Sequence, residues 1–204
     1  MKKTPNYKRR KKAAGRSSTQ AIRTAAMVSH LTPPPGTVMA SYPAWRDRVY
    51  RGSLWPLSLV FLAVAVAIVW NNQEIAEIAV AVGVLANLWA SWTFLVWIPK
   101  WRWIVRILAF VSLFGWATGL PFLLWGGMLA ATAIMAAKEY HCFKFWTGRY
   151  LPWVSLAAGV AWLIGSGIPM VVLFMALSGG WMALLWERSK MPLFEVNVEQ
   201  ETSS

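Results

Sequence analysis

Residues 54–70 read LWPLSLVFLAVAVAIVW, a run of 17 residues without one charged side chain. As an α-helix this run would rise about 26 Å, close to the ~30 Å thickness of the hydrocarbon core of a bilayer. A helix on the surface of a soluble protein needs a polar outer face, and this run contains a single hydroxyl, that of Ser58. We therefore predict that 54–70 crosses a membrane.

Five further apolar runs follow in the chain of 204 residues. They occupy 75–98, 103–118, 121–137, 151–166 and 170–186. The composition agrees, since 57% of the residues are apolar and 14% are charged, against about 25% charged residues in soluble domains. We predict an all-α, polytopic membrane protein with six transmembrane helices, arranged as three helical hairpins within 54–186.

The Lys and Arg residues are distributed unevenly between the predicted connections. Of the 20, 12 precede the first span, three lie around 100–106, three lie in 138–149 and two follow residue 186. The other three connections contain none. Cytoplasmic loops of membrane proteins are enriched in Lys and Arg, and six spans place all 20 on one side. We therefore predict that both termini are cytoplasmic.

The segments outside 54–186 are predicted to be two cytoplasmic tails. The first, 1–53, has no acidic residue before Asp47 and contains a compact basic block at 8–12. High charge with few large apolar residues predicts disorder. Its composition fits either an organellar transit peptide or a tail that binds anionic lipid headgroups, and we favour the tail. Despite its net charge of +12, the chain is not expected to bind a specific nucleic acid. The polar segment 187–204 is the second tail.

The tryptophans divide into two groups by their depth in the predicted spans. Trp89, Trp92, Trp162 and Trp181 lie deep, where they either line a pigment or lipid groove or pack between helices, and we favour packing. Eight others lie at span ends, where the indole prefers the headgroup region: Trp55, Trp70, Trp97, Trp101, Trp103, Trp146, Trp153 and Trp186.

Small residues recur at a spacing of four in the fourth and sixth spans, for example Gly127 with Ala131 and Gly179 with Ala183. In membrane helices this pattern favours close approach to a neighbouring helix. We therefore expect both glycines to lie at helix contacts.

Lys138, Glu139, His141 and Cys142 form the densest group of reactive side chains, directly after the fourth span. If the helix continues, the three- and four-residue spacing puts Lys138, His141 and Cys142 on one face. Such a face fits a nucleophile with a base, or one turn of cytoplasmic helix, which we favour. A metal site needs three or four ligands. These four residues are the candidate interaction cluster; no catalytic, cofactor-binding or metal-binding residue is predicted.

Three short elements in the last two thirds of the chain carry a family resemblance. They are Lys-Glu-Tyr-His-Cys-Phe at 138–143, Leu-Pro at 151–152 and Lys-Met-Pro-Leu at 190–193. Together they resemble an uncharacterised family of integral membrane proteins found largely in cyanobacteria. The resemblance implies a polytopic helical protein in a cell membrane or thylakoid membrane. It implies no catalytic residue, because the family has no established activity, and it does not include the basic N-terminal segment.

Three functions remain open from the sequence. The one we favour is a non-enzymatic protein that binds or helps to assemble another membrane component, with another membrane protein or a second copy of itself as partner. The alternative is a small transporter or channel subunit, in which an oligomer forms a pore from Ser and Thr side chains and Asn87. The third is a membrane enzyme that uses the group at 138–142.

Overall fold

The computed structural model describes residues 42–94, 96, 99–191 and 193. The predicted tails lie largely outside these residues. Within them the fold is all-helical, which confirms the predicted class. The six helices are α1 (Ala44–Trp70), α2 (Gln73–Thr93), α3 (Pro99–Ala117), α4 (Pro121–Phe143), α5 (Thr147–Leu163) and α6 (Gly167–Ser189).

Four of the six helices, α1, α2, α4 and α6, are long and apolar enough to cross a membrane. The chain thus has the helices of a multi-pass membrane protein. The other two differ for separate reasons. Helix α3 carries Lys100, Arg102 and Arg106 near its start, and α5 has only 17 residues, which rise about 26 Å.

The helices form a closed ring. Each packs against the helix before and the helix after it in the chain, α6 returns to pack against α1, and α2 also touches α4. Aromatic side chains fill the centre. The ring of Phe174 in α6 lies 5.9 Å from that of Phe61 in α1 and 5.1 Å from that of Trp125 in α4, measured between centroids. Aromatic pairs at this separation bury large apolar areas, so three helices meet at this point.

Helices α3 and α4 approach each other closely at Gly127. A Cβ atom added there would lie 2.5 Å from the carbonyl oxygen of Leu108 and 2.7 Å from the backbone nitrogen of Ser112. Only glycine allows this backbone contact, so the predicted close approach is confirmed at Gly127. The prediction is wrong for Gly179, where an added Cβ would meet no atom within 4 Å.

The first helix begins at Ala44, so the predicted tail 1–53 is too long. Pro43 precedes the helix in an extended conformation, and Asp47 lies in the first turn. A negative charge is favourable there because it interacts with the positive end of the helix dipole. Asp47 also pairs with Arg51 one turn later, at 2.6 Å. The four charged residues at 44–53, which the prediction assigned to the tail, are therefore part of a helix.

Other predicted boundaries also differ from the observed helix ends. Helix α2 ends at Thr93, before the end of the predicted run 75–98, and Pro99 begins α3. Proline suits a first helical position because its missing N–H has no partner there in any case. Helix α6 continues to Ser189, so the predicted tail 187–204 begins inside a helix, and Arg188 is buried.

Candidate functional site

A network of five charged side chains, three of them fully buried and two half-buried, lies at one end of the ring. Asp47, Glu139 and Arg188 are 1%, 0% and 3% exposed. The Asp47 carboxylate accepts hydrogen bonds from Arg188 at 2.9 Å and from Arg51 at 2.6 Å. Lys138 donates to one oxygen of Glu139 at 2.8 Å. The other Glu139 oxygen lies 3.8 Å from Nη1 of Arg188, so this contact is electrostatic.

In the part of the chain that the structure describes, the network connects α4 to two helices that its backbone does not approach, α1 and α6. Asp47 and Arg51 lie in α1, Lys138 and Glu139 in α4, and Arg188 in α6. Within the described residues, α4 makes no backbone approach to α1 or to α6. The long side chains therefore span the interior of the ring and hold three helix ends together.

Arg51 also caps the end of α6. Its Nη1 donates to the carbonyl oxygens of Arg188 at 3.0 Å and Met191 at 2.8 Å. The last carbonyl groups of a helix have no partner within the helix, and a cation near them is favourable because the helix dipole is negative at that end. Arg51 thus joins the start of α1 to the end of α6, where the ring closes.

Aromatic rings surround the Lys138 ammonium. Its Nζ lies 5.4 Å from the ring centroid of Tyr50, 5.8 Å from that of Phe94 and 5.0 Å from that of Phe143. Phe143 also lies 4.0 Å from the guanidinium carbon of Arg188. The negative faces of aromatic rings attract cations at such distances. The rings help to balance the charge of the network, because it has two carboxylates for three cations, Arg51, Lys138 and Arg188.

Glu139 is held less completely than Asp47. Its second oxygen has no hydrogen bond, and the buried hydroxyl of Tyr50 has none either. The two side chains lie close enough to interact, by charge and at the margin of hydrogen-bond geometry. Buried polar atoms are normally paired, so this is the weak point of the network.

Tyr42 holds the chain that precedes α1. Its hydroxyl donates to the carbonyl oxygen of Thr93 at 2.9 Å, so the start of α1 is joined to the end of α2. Burial, with the nearby negative charge of Asp47 as a second cause, raises the pKa of the Tyr42 phenol. The hydroxyl therefore keeps its proton and remains a donor at neutral pH.

The predicted interaction cluster is divided by the structure. Lys138 and Glu139 join the network, whereas His141 is exposed and Cys142 is half-buried. Glu139 is fully buried, so it does not behave as part of an exposed turn of cytoplasmic helix. Among the described residues, no three His, Cys, Asp or Glu side chains come together to hold a metal ion.

Sequence reasoning did not identify Asp47, Arg51 and Arg188 as partners of Glu139. One signal was present, since Asp47 is the only acidic residue among the first 73. An isolated carboxylate in a strongly basic segment is a candidate for pairing, but its partner in α6 is 141 positions away. Only the closed ring brings the two together.

A shallow groove of about 250 Å³ lies between α4 and α5. It is lined almost entirely by apolar residues, including Trp125 and Trp162. The four deep tryptophans therefore differ in role. Trp181 is fully buried, as packing predicts, Trp162 lines the groove, and Trp89 and Trp92 are exposed on the surface of the bundle.

No protein family, curated protein or solved structure matches the chain. The geometry of the described residues therefore carries the functional argument.

Proposed function

We propose that this chain is a non-enzymatic integral membrane protein that binds or helps to assemble another component of a bacterial membrane. It crosses a cell membrane or thylakoid membrane six times, as three helical hairpins, and both termini are cytoplasmic. The basic N-terminal segment lies against anionic lipid headgroups. The partner is another membrane protein or a second copy of the chain.

One observation carries the proposal, which is the division between paired charges inside the bundle and an apolar surface outside it. Lys138 pairs with Glu139, and Glu139 faces Arg188, which pairs with Asp47. These contacts hold helix ends together. The outer surface carries large aromatic groups, such as Trp89 at 61% exposure. Such a surface suits contacts within the membrane, and the buried network gives it a fixed frame.

The order of the helices supports six spans. Short connections at 71–72, 118–120 and 164–166 join α1 to α2, α3 to α4 and α5 to α6. If each helix crosses, basic residues before α1, at the start of α3, between α4 and α5 and after α6 all lie at the cytoplasmic end. Arg106 does not prevent α3 from crossing, because long side chains near a helix end reach back to water.

Reporter fusions test this topology. We expect fusions after Asn72, Gly119 and Gly167 to be active on the periplasmic or lumenal side, and fusions after Lys100 and Lys144 to be cytoplasmic. If only the four apolar helices α1, α2, α4 and α6 crossed, the results at Gly119 and Lys144 would be reversed. Those two fusions therefore decide between four and six spans.

Purification from native membranes tests the function. The full chain with a C-terminal tag is extracted in mild detergent, and the untagged chain serves as the control. We expect one membrane protein to be recovered in constant ratio to the tagged chain, or a defined homo-oligomer without ion flux after reconstitution into liposomes. Recovery of a monomer alone would contradict the proposal.

Ion flux through a homo-oligomer would instead favour a channel subunit. The position of Asn87 does not support a channel subunit. Its side chain is fully buried within the described bundle, so it does not face a pore formed between copies of the chain. Asn87, which the channel hypothesis places in the pore, is thus directed into the bundle.

A further inference from the structure

Arg106 in α3 is held between two tryptophans on the outer side of the bundle. Its guanidinium carbon lies 4.6 Å from the ring centroid of Trp92 in α2 and 5.6 Å from that of Trp103 in α3. Its Nη2 donates to the carbonyl oxygen of Trp92 at 3.3 Å. Both indoles are more than half exposed. The two rings therefore fix the guanidinium at a position open to the membrane.

The charges around Arg106 differ from those in the buried network. Arg51, Lys138 and Arg188 each pair with a carboxylate. Among the described residues, Arg106 has no such pair, and the charged groups that act on it are Arg102 and Arg46, both cations. Its Nε is buried and has no hydrogen-bond partner. The site thus has positive charge without an internal counter-ion among the described residues.

The depth of Arg106 selects the kind of anion. It lies seven residues after Pro99, about 10 Å along the helix axis, so its side chain reaches the headgroup region from within the membrane. An anion at this level, beside exposed indoles, is the phosphate of a lipid. Arg102 and Arg46 would repel the ammonium group of a zwitterionic headgroup, which favours a lipid with net negative charge.

We propose that Arg106, Trp92 and Trp103 form a binding site for the phosphate of an anionic phospholipid in the cytoplasmic leaflet. The planar guanidinium fork matches two phosphate oxygens, and the indoles contact the glycerol and upper acyl region. Basic pockets between transmembrane helices bind such headgroups. This inference rests on the proposed membrane position of α3, but it does not depend on a protein partner.

The test measures the lipid preference of the purified full-length chain. Nanodiscs are prepared with phosphatidylglycerol or phosphatidylcholine of identical acyl chains, and bound lipid is counted by native mass spectrometry. We expect a preference for phosphatidylglycerol that Arg106→Gln weakens about five-fold, the effect of one cation near an anionic surface. Arg106→Lys should retain part of it, since lysine still binds phosphate as a point charge.

Arg149→Gln is the matched control, because Arg149 is exposed at the same end of the bundle. We expect it to leave the preference unchanged. An unchanged preference in Arg106→Gln, or an equal loss in Arg149→Gln, would overturn the site and indicate general attraction to a basic surface. Displacement of the lipid by millimolar inorganic phosphate would also overturn it, in favour of a small-anion site.

If Arg106→Gln does not fold, Trp92→Leu provides the test. It keeps an apolar side chain but removes the ring that orients the guanidinium, so we expect an intermediate loss of lipid preference. No loss in a folded Trp92→Leu variant would contradict the proposal. Because this readout uses purified protein, its failure is separate from a failure to find a partner in native membranes.

Discussion

Asp47→Asn is expected to lower the free energy of unfolding by about 3–5 kcal/mol, the usual cost of removing one partner of a buried ion pair. Asp47 is 1% exposed and accepts hydrogen bonds from both Arg188 and Arg51. Asparagine keeps the shape but not the charge, so Arg188 would be left buried with only the distant oxygen of Glu139. Thermal unfolding of the detergent-solubilised protein, with thermodynamic values from denaturant titration, measures the change.

The matched control for Asp47→Asn is Glu77→Gln. Glu77 is exposed in α2, with a hydrogen bond from Gln73 on the same helix, so we expect a change below about 1 kcal/mol. The double variant Asp47→Asn with Arg188→Gln should cost less than the sum of the single variants, because each partner of this pair is removed together with the other. Additive costs would show that Asp47 and Arg188 do not stabilise each other.

Glu139→Gln is the second substitution with a large expected effect, about 3 kcal/mol, at the lower end of the range for buried pairs. It would leave Lys138 and Arg188 without their shared carboxylate. The effect should be smaller than for Asp47, because Glu139 has one direct hydrogen bond and one contact at 3.8 Å. An exposed ion pair, as the sequence led us to expect, would lose less than about 1 kcal/mol. Protein abundance and thermal unfolding distinguish the two.

Cys142→Ser controls for disturbance of the same helix end, since Cys142 is half-buried and lies outside the ion pairs. A second comparison adds Lys138→Met to Glu139→Gln. Removal of the excess cation should recover part of the lost stability, and a further loss would contradict the charge-balance argument. If Glu139→Gln kept full stability but lost a co-purifying partner, the residue would be part of an interaction site and not a structural one.

The pattern of apolar residues along the sequence does not distinguish a surface ion pair from a buried network of charges. The apolar runs located all six helices, because a helix in a bilayer needs a long uncharged stretch. They did not locate the helix ends. Residues 44–53 contain four charged side chains, and two of them, Asp47 and Arg51, are part of the buried network. Local composition cannot separate a charge that is solvated from one that is paired inside the bundle.

Local sequence also fails to show which apolar residues are buried, as Trp181 and Trp92 illustrate. Both lie deep in predicted spans, yet Trp181 is fully buried and Trp92 is 51% exposed. In a membrane both faces of a helix are apolar, because lipid and protein interior are equally non-polar. The alternation that marks the buried face of a soluble helix is therefore missing, and the face that packs is decided by the neighbouring helices.

The sequence by itself determined the helical class, the approximate place of each helix and the concentration of basic residues at alternate connections. These follow from hydrophobic length and local charge, which are properties of short segments. Only the tertiary structure decided that Asp47, Glu139 and Arg188 meet, and that Arg106 lies apart between two indoles. The reason is that the return of α6 to α1 joins residues 141 positions apart, and no local pattern encodes a contact that depends on the closure of the ring.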